Sequence, residues 1–108
     1  MGHVPHVRAA TDSYRADMPR FIIQRTLPGA GRLSSDELQA ISQKSNEVLD
    51  GMAPRAQWVQ SFVTDDKIFC HYLADDEAAV REHGRCGGFP VDSVHQVHAL
   101  IDPMTGAR

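Results

Sequence analysis

Cysteine is scarce in this chain: Cys70 and Cys86 are the only two in 108 residues. That is too few for a disulfide scaffold, so an apolar core must hold the fold, and the count fits a reducing, cytoplasmic setting. Aromatic residues make up only 6%, and basic residues do not exceed acidic ones (11 against 14, net charge -3). A nucleic-acid binder would show a basic face with aromatic platforms, so no nucleic-acid partner is expected. Long apolar runs are also missing. None approaches the roughly 20 residues of a bilayer span, and the first residues lack the apolar stretch of a secretory signal, so no membrane partner is expected either. There is no GxSxG, phosphate loop, dinucleotide fingerprint or CxxC. Gly29-Ala30-Gly31 lacks a third glycine and reads as a turn. What remains is one small domain.

Residues 1–18 show neither helical nor strand period and read as a flexible extension. Residues 19–105 carry the domain, and 106–108 a short tail. Phe21–Leu27 (FIIQRTL) reads as a strand closed by Pro28-Gly29-Ala30-Gly31. Ser34 and Glu37 form a capping box for a helix whose face runs Leu38, Ile41, Ser45, Val48, Leu49 and Met52, and Pro54 forbids its continuation. Gln57–Val63 and Lys67–Leu73 flank Thr64-Asp65-Asp66 as a hairpin. Regular alternation there puts Trp58, Gln60 and Phe62 on one face and Val59, Ser61 and Val63 on the other. Asp75-Asp76-Glu77 opens a second helix with an inner stripe of Ala79, Val80, His83 and Cys86, stopped by Gly87-Gly88. Val94–Ile101 is the last strand.

The order β-α-β-β-α-β predicts an α+β, ferredoxin-like domain: a four-stranded antiparallel sheet with two helices on one face. Apolar residues occupy both sides of the hairpin strands, so the second face needs a cover as well. A homodimer that closes two sheets into a dimeric α/β barrel supplies one.

Few residues can carry chemistry. His83 lies on the inner stripe of the second helix. It is either a core histidine satisfied by a neighbour such as Tyr72 or Ser61, or a general acid/base or metal ligand in the helix–sheet cleft. His71, His95 and His98 form a second group, in which His71 is the candidate metal ligand and the other two fall on opposite strand faces. Either Gln24 or Arg25 must face inward, as a buried hydrogen-bonded pair or, for Arg25, as the fork holding a small anionic ligand. Trp58, Gln60 and Cys70 are candidate ligand-lining residues. Cys70, mid-strand, otherwise packs as a small hydrophobe.

The segments FIIQRTLPGAG, WVQSFVTDDKIFCHYLADDEAAVREH and GGFPVDSVHQVHALIDP together resemble a small bacterial family of unknown function, grouped with nickel-binding and nickel-responsive proteins. The resemblance runs from Pro19 to about Thr105, and its most specific parts are the W-V-x-S hairpin, the F-C-x-Y strand and the G-F-P-x-D turn. It implies a dimeric ferredoxin-like barrel, with nickel or another transition metal as the expected cofactor. The chain departs from the pattern in places. Gln24-Arg25 and Gln60 stand where relatives carry E-R and a histidine. The Ser45-Asn46 region stands where nickel-binding relatives carry a helix histidine, leaving His83 in a comparable neighbourhood. Three functions are expected from all this, the third being an assembly or interaction module in which the dimer is itself the function. The first is a homodimeric binding protein taking a metal or small metabolite near His83. The second is a cofactor-free barrel enzyme of the isomerase, cyclase or monooxygenase type, with His83 as acid/base and Tyr72 or Arg25 holding an oxyanion.

Overall fold

Ser34 sets the first helix. In the computed structural model, which describes residues 18–107, its hydroxyl accepts from the Glu37 backbone N–H while the Glu37 carboxylate accepts from the Ser34 N–H. This reciprocal cap satisfies two of the backbone donors that a helix start leaves open. The helix, α1, spans Ser35–Asp50. The second helix, α2, spans Glu77–Gly87, capped by the Asp76 side chain and ended by Gly88 in the left-handed region (φ 71°), which a residue without Cβ adopts freely. Four strands complete the domain: β1 (Arg20–Thr26), β2 (Ala56–Val63), β3 (Lys67–Ala74) and β4 (Ser93–Val97).

The strands form one antiparallel sheet in the order β2-β3-β1-β4. With the element order β-α-β-β-α-β, this is the ferredoxin-like arrangement expected. Both helices cover the same face. Phe21, Ile23, Cys70, Tyr72, Ala79 and Val80 are buried between sheet and helices, with Val48, Leu49, Trp58 and Val94 packed at their edge. At Gly84 of α2 a Cβ would stand 2.6 Å from Val91 Cγ2, so a glycine is needed for the helix to lie this close to the segment after it.

Three expectations are corrected. First, β2 does not alternate regularly: its register with β3 slips between Trp58 and Gln60, a β-bulge that leaves Val59 without an opposite residue. Trp58, Ser61 and Val63 lie opposite Tyr72, Cys70 and Ile68 and so face the helices, while Gln60 and Phe62 face away. One extra residue reverses the parity of everything after it. Second, β4 ends at Val97, and Leu100 and Ile101 stand exposed before the 3-10 turn Pro103–Gly106. Third, Cys86 is exposed and does not continue the inner stripe. Buried residues of α2 are Ala79, Val80, His83 and Gly84. Of the segments read as tails, residues 1–17 and Arg108 lie outside the described residues, and Met18 is buried. No helix among the described residues is long and apolar enough to cross a membrane.

Candidate functional site in the cleft between helices and sheet

Between α1 and the sheet lies a cavity of about 270 Å³. Its floor comes from the inward residues of β1, β2 and β3: Arg25, Trp58, Ser61, Ile68, Cys70 and Tyr72. Its roof is the face of α1 that carries Leu38, Ile41, Ser42 and Ser45, and one end is closed by Gly88-Phe89-Pro90. The lining is overwhelmingly apolar, as in small-molecule pockets generally, with few polar groups available to orient an occupant. Trp58 Nε1–H donates to Ser61 Oγ at 2.9 Å, which fixes the indole at the wall.

Among the described residues, Arg25 is the one formally charged side chain on that wall. Of the two neighbours Gln24 and Arg25, it is Arg25 that faces the helices, with 5% of its surface exposed. Its Nε–H donates to Cys70 Sγ at 3.4 Å, its Nη1–H donates to the Pro90 carbonyl at 2.6 Å, and its guanidinium lies 5.6 Å from the Phe89 ring centroid. Its Nη2 is buried with no hydrogen-bond partner. Among the described residues no carboxylate pairs with it. A buried cation without a counter-ion costs several kcal/mol unless other groups satisfy it, and a thiol and a ring face are weak substitutes.

His83 is fully buried, one layer behind the cavity. Its Nε2 shares a hydrogen bond with Ser45 Oγ at 3.1 Å, and its ring lies between Tyr72 (centroids 5.0 Å, tilted) and Phe89 (5.3 Å, stacked). The neighbour that satisfies it is thus Ser45, not Tyr72 or Ser61. Nδ1 has no partner. Burial, and then the charge of Arg25, push the His83 pKa down to about 4, against a weaker upward pull from Ser45. The ring is therefore neutral at pH 7. Tyr72 moves the other way. Burial raises its pKa, partly offset by Ser45 and Arg25, so it remains a neutral phenol.

The remaining candidates lie on the opposite face. Gln24 pairs with Phe69, and Gln60 with His71, on the face of the sheet opposite α1 and α2. His71 and His95 share a row there on either side of Ile22, two strand spacings or roughly 10 Å apart. Arg20 Nη1–H donates to His71 Nε2 at 3.2 Å, and burial followed by the Arg20 charge lowers the His71 pKa. His83 and His71, both candidate metal ligands, are therefore separated by the sheet. Around His83 the structure offers one imidazole and one hydroxyl, and no group of three His, Cys, Asp or Glu able to hold a metal exists among the described residues. These residues do not fit a transition-metal centre within one chain.

Ser45, Ile41 and Phe89 belong to the site although the sequence offered none of them as a candidate site residue. Ser45 did leave a sign, as a lone hydroxyl on the apolar stripe of α1. Phe89 and Pro90 follow the glycine stop of α2 and stood in the sequence as part of the G-F-P-x-D turn, with no chemistry attached.

A family model described as "Nickel responsive protein SCO4226-like" matches residues 21–97, well over half of the chain. The crystal structure of SCO4226 from Streptomyces coelicolor A3(2) is similar with a TM-score of 0.65 at 19% identity. The alignment covers 76% of this chain and 99% of that one, and at this identity it bears on the fold alone. No curated protein matches the sequence.

Proposed function

We propose, for a chain that belongs to the nickel-responsive SCO4226-like family, that it is a small binding protein whose helix–sheet cleft takes a compact, largely apolar organic molecule. The observation that carries this reading is the cavity of about 270 Å³ roofed by Leu38, Ile41 and Ser42 and floored by Trp58, Ile68 and Tyr72. A cavity of about 150 Å³ lined by aliphatic and aromatic groups already admits benzene, so this one has room for two fused rings or a medium-length chain. Proton transfer is not favoured. His83 is separated from the cavity by Ser45 and Tyr72 and is neutral far below neutral pH, so it donates no proton in the working range. Nor is a nickel ion placed at His83, for the lack of further ligands described above.

Trp58 is the only tryptophan and lies on the cavity wall, so its fluorescence reads occupancy. Titration with 1-octanol should give a saturable change in emission that Ile41→Phe, which fills the cavity, abolishes. A linear response without saturation, or one unaffected by Ile41→Phe, would count against the reading.

The binding unit is a homodimer formed through the open sheet face. Ile22, Phe69 and Val97 are half-covered there and Phe62 is 58% exposed, an apolar area that a second sheet of the same composition matches. Light scattering should report twice the chain mass at micromolar concentration, and Phe62→Asp should shift it toward one chain. A wild-type monomer would refute the dimer and leave the cleft reading untouched.

A further inference from the structure

We infer that the occupant of this cleft is an anion, a monocarboxylate with an apolar body, held by Arg25. This deepens the cleft reading above and rests on it. Three observations converge. Arg25 is a permanent cation at 5% exposure, facing a cavity whose other walls are nearly all hydrocarbon. Two arms of its fork are occupied, Nε by Cys70 Sγ and Nη1 by the Pro90 carbonyl, and these fix the plane of the guanidinium. The third, Nη2, is buried and unpartnered, and none of the described residues supplies a carboxylate to balance the charge.

The surrounding groups feel that charge but none of them neutralises it. Tyr72 is a neutral phenol, Ser45 is bonded to His83, and His83 is an uncharged imidazole at pH 7. An anion entering the cleft therefore meets one uncompensated cation and no competing acid. A carboxylate accepts from a guanidinium N–H with a charge-assisted hydrogen bond, about twice as strong as a neutral one and stronger still away from water. The apolar walls then select for the remainder of the molecule. A free inorganic anion would satisfy Arg25 and leave the hydrocarbon surface unfilled.

Octanoate and 1-octanol, which share a chain and differ at the head group, separate the alternatives when titrated against Trp58 fluorescence at pH 7. Octanoate should bind about tenfold or more tightly than 1-octanol, the ratio expected of one charge-assisted hydrogen bond. Arg25→Met should remove that preference by weakening octanoate while 1-octanol binding persists. Should Arg25→Met fail to fold, methyl octanoate and inorganic phosphate on the wild-type protein replace it, and both should bind more weakly than octanoate. Equal affinity for octanoate and 1-octanol would overturn the anion assignment and keep the apolar cleft. Saturable binding of neither would overturn both.

Discussion

The two faces of this sheet are built from the same four strands and both carry apolar side chains, more of them on the helix side, yet they differ further in how they treat polar groups. On the helix side, Phe21, Ile23, Cys70 and Tyr72 are buried, and the polar groups among them, Arg25, Ser45 and His83, are buried too. On the other side, Ile22, Phe69, His71 and Val97 are half-covered and Phe62 is open. Apolar residues alone mark no site, since Leu73 is buried on the outer face too and every protein surface is in good part apolar. Polar residues do. A polar group left in a dry site persists against a desolvation cost, and among the described residues all three such side chains border one cavity or the residues that wall it.

Adjacent isoleucines test that difference with one chemistry. Ile23 is fully buried beneath the helices, whereas Ile22 is half-covered on the open face. Ile23→Ala should lower unfolding free energy by about 2–5 kcal/mol in urea titrations, the range for a methylene-deleting core substitution. Ile22→Ala should cost no more than about 1 kcal/mol in the same measurement at low protein concentration. Comparable losses at the two positions would mean that the outer face is covered within a single chain.

Two histidines extend the comparison to pH. His83 has a folded pKa of about 4 against 6.5 unfolded. Above pH 6.5 both states hold the neutral ring and stability is independent of this group. As pH falls from 6.5 toward 4 the unfolded chain binds a proton that the folded one does not, so stability declines. Between pH 7 and 5 the loss should be on the order of 2 kcal/mol, because each pH step below the unfolded value costs about 1.4 kcal/mol until the folded ring titrates. His83→Gln should flatten that stretch of the curve. His71, on the open face, is lowered for the same cause in kind, burial and a neighbouring arginine, so its contribution has the same sign. Being partly solvated, it should weaken the slope less when changed to Gln. Equal flattening by the two substitutions would contradict the assignment of His83 to the dry side.

Local rules made much of this legible in the sequence. The capping box of Ser34 and Glu37, the glycine stop at Gly88 and the hairpin around Asp65-Asp66 depend on neighbours a few residues apart, and each stands where the pattern placed it. That Arg25 faces inward was half legible, as one of two adjacent candidates. The site's other half was not. Ser45 meets His83 across 38 positions of chain, and Phe89 closes the cavity from beyond a helix stop. Neither pairing has a local signature. The bulge in β2 was hidden for another reason. No glycine or proline marks Trp58-Val59-Gln60-Ser61, and strict alternation consequently put Gln60 beside Trp58 and Ser61 opposite. The exposed end at Leu100 and Ile101 is apolar like a strand but lies past the end of β4 and pairs with none of the described strands.

The smallest expected effect comes from removing a whole residue, and that follows from the bulge. Val59 has no opposite number on β3, and its neighbours already stand in the order a regular strand requires: Trp58 against Tyr72, Gln60 against His71, Ser61 against Cys70. Deletion of Val59 therefore closes an irregular ladder without turning any later side chain to the other face. Val59 is also 39% exposed, so little packing is lost with it. The deletion variant should unfold within about 1 kcal/mol of the parent, as for a surface change, with the emission maximum of Trp58 unmoved. A red-shifted emission together with a loss as large as that of Ile23→Ala would show the bulge to be needed for the curvature that seats α1. The two faces would then owe their difference to the bend at Val59 as much as to the residues they present.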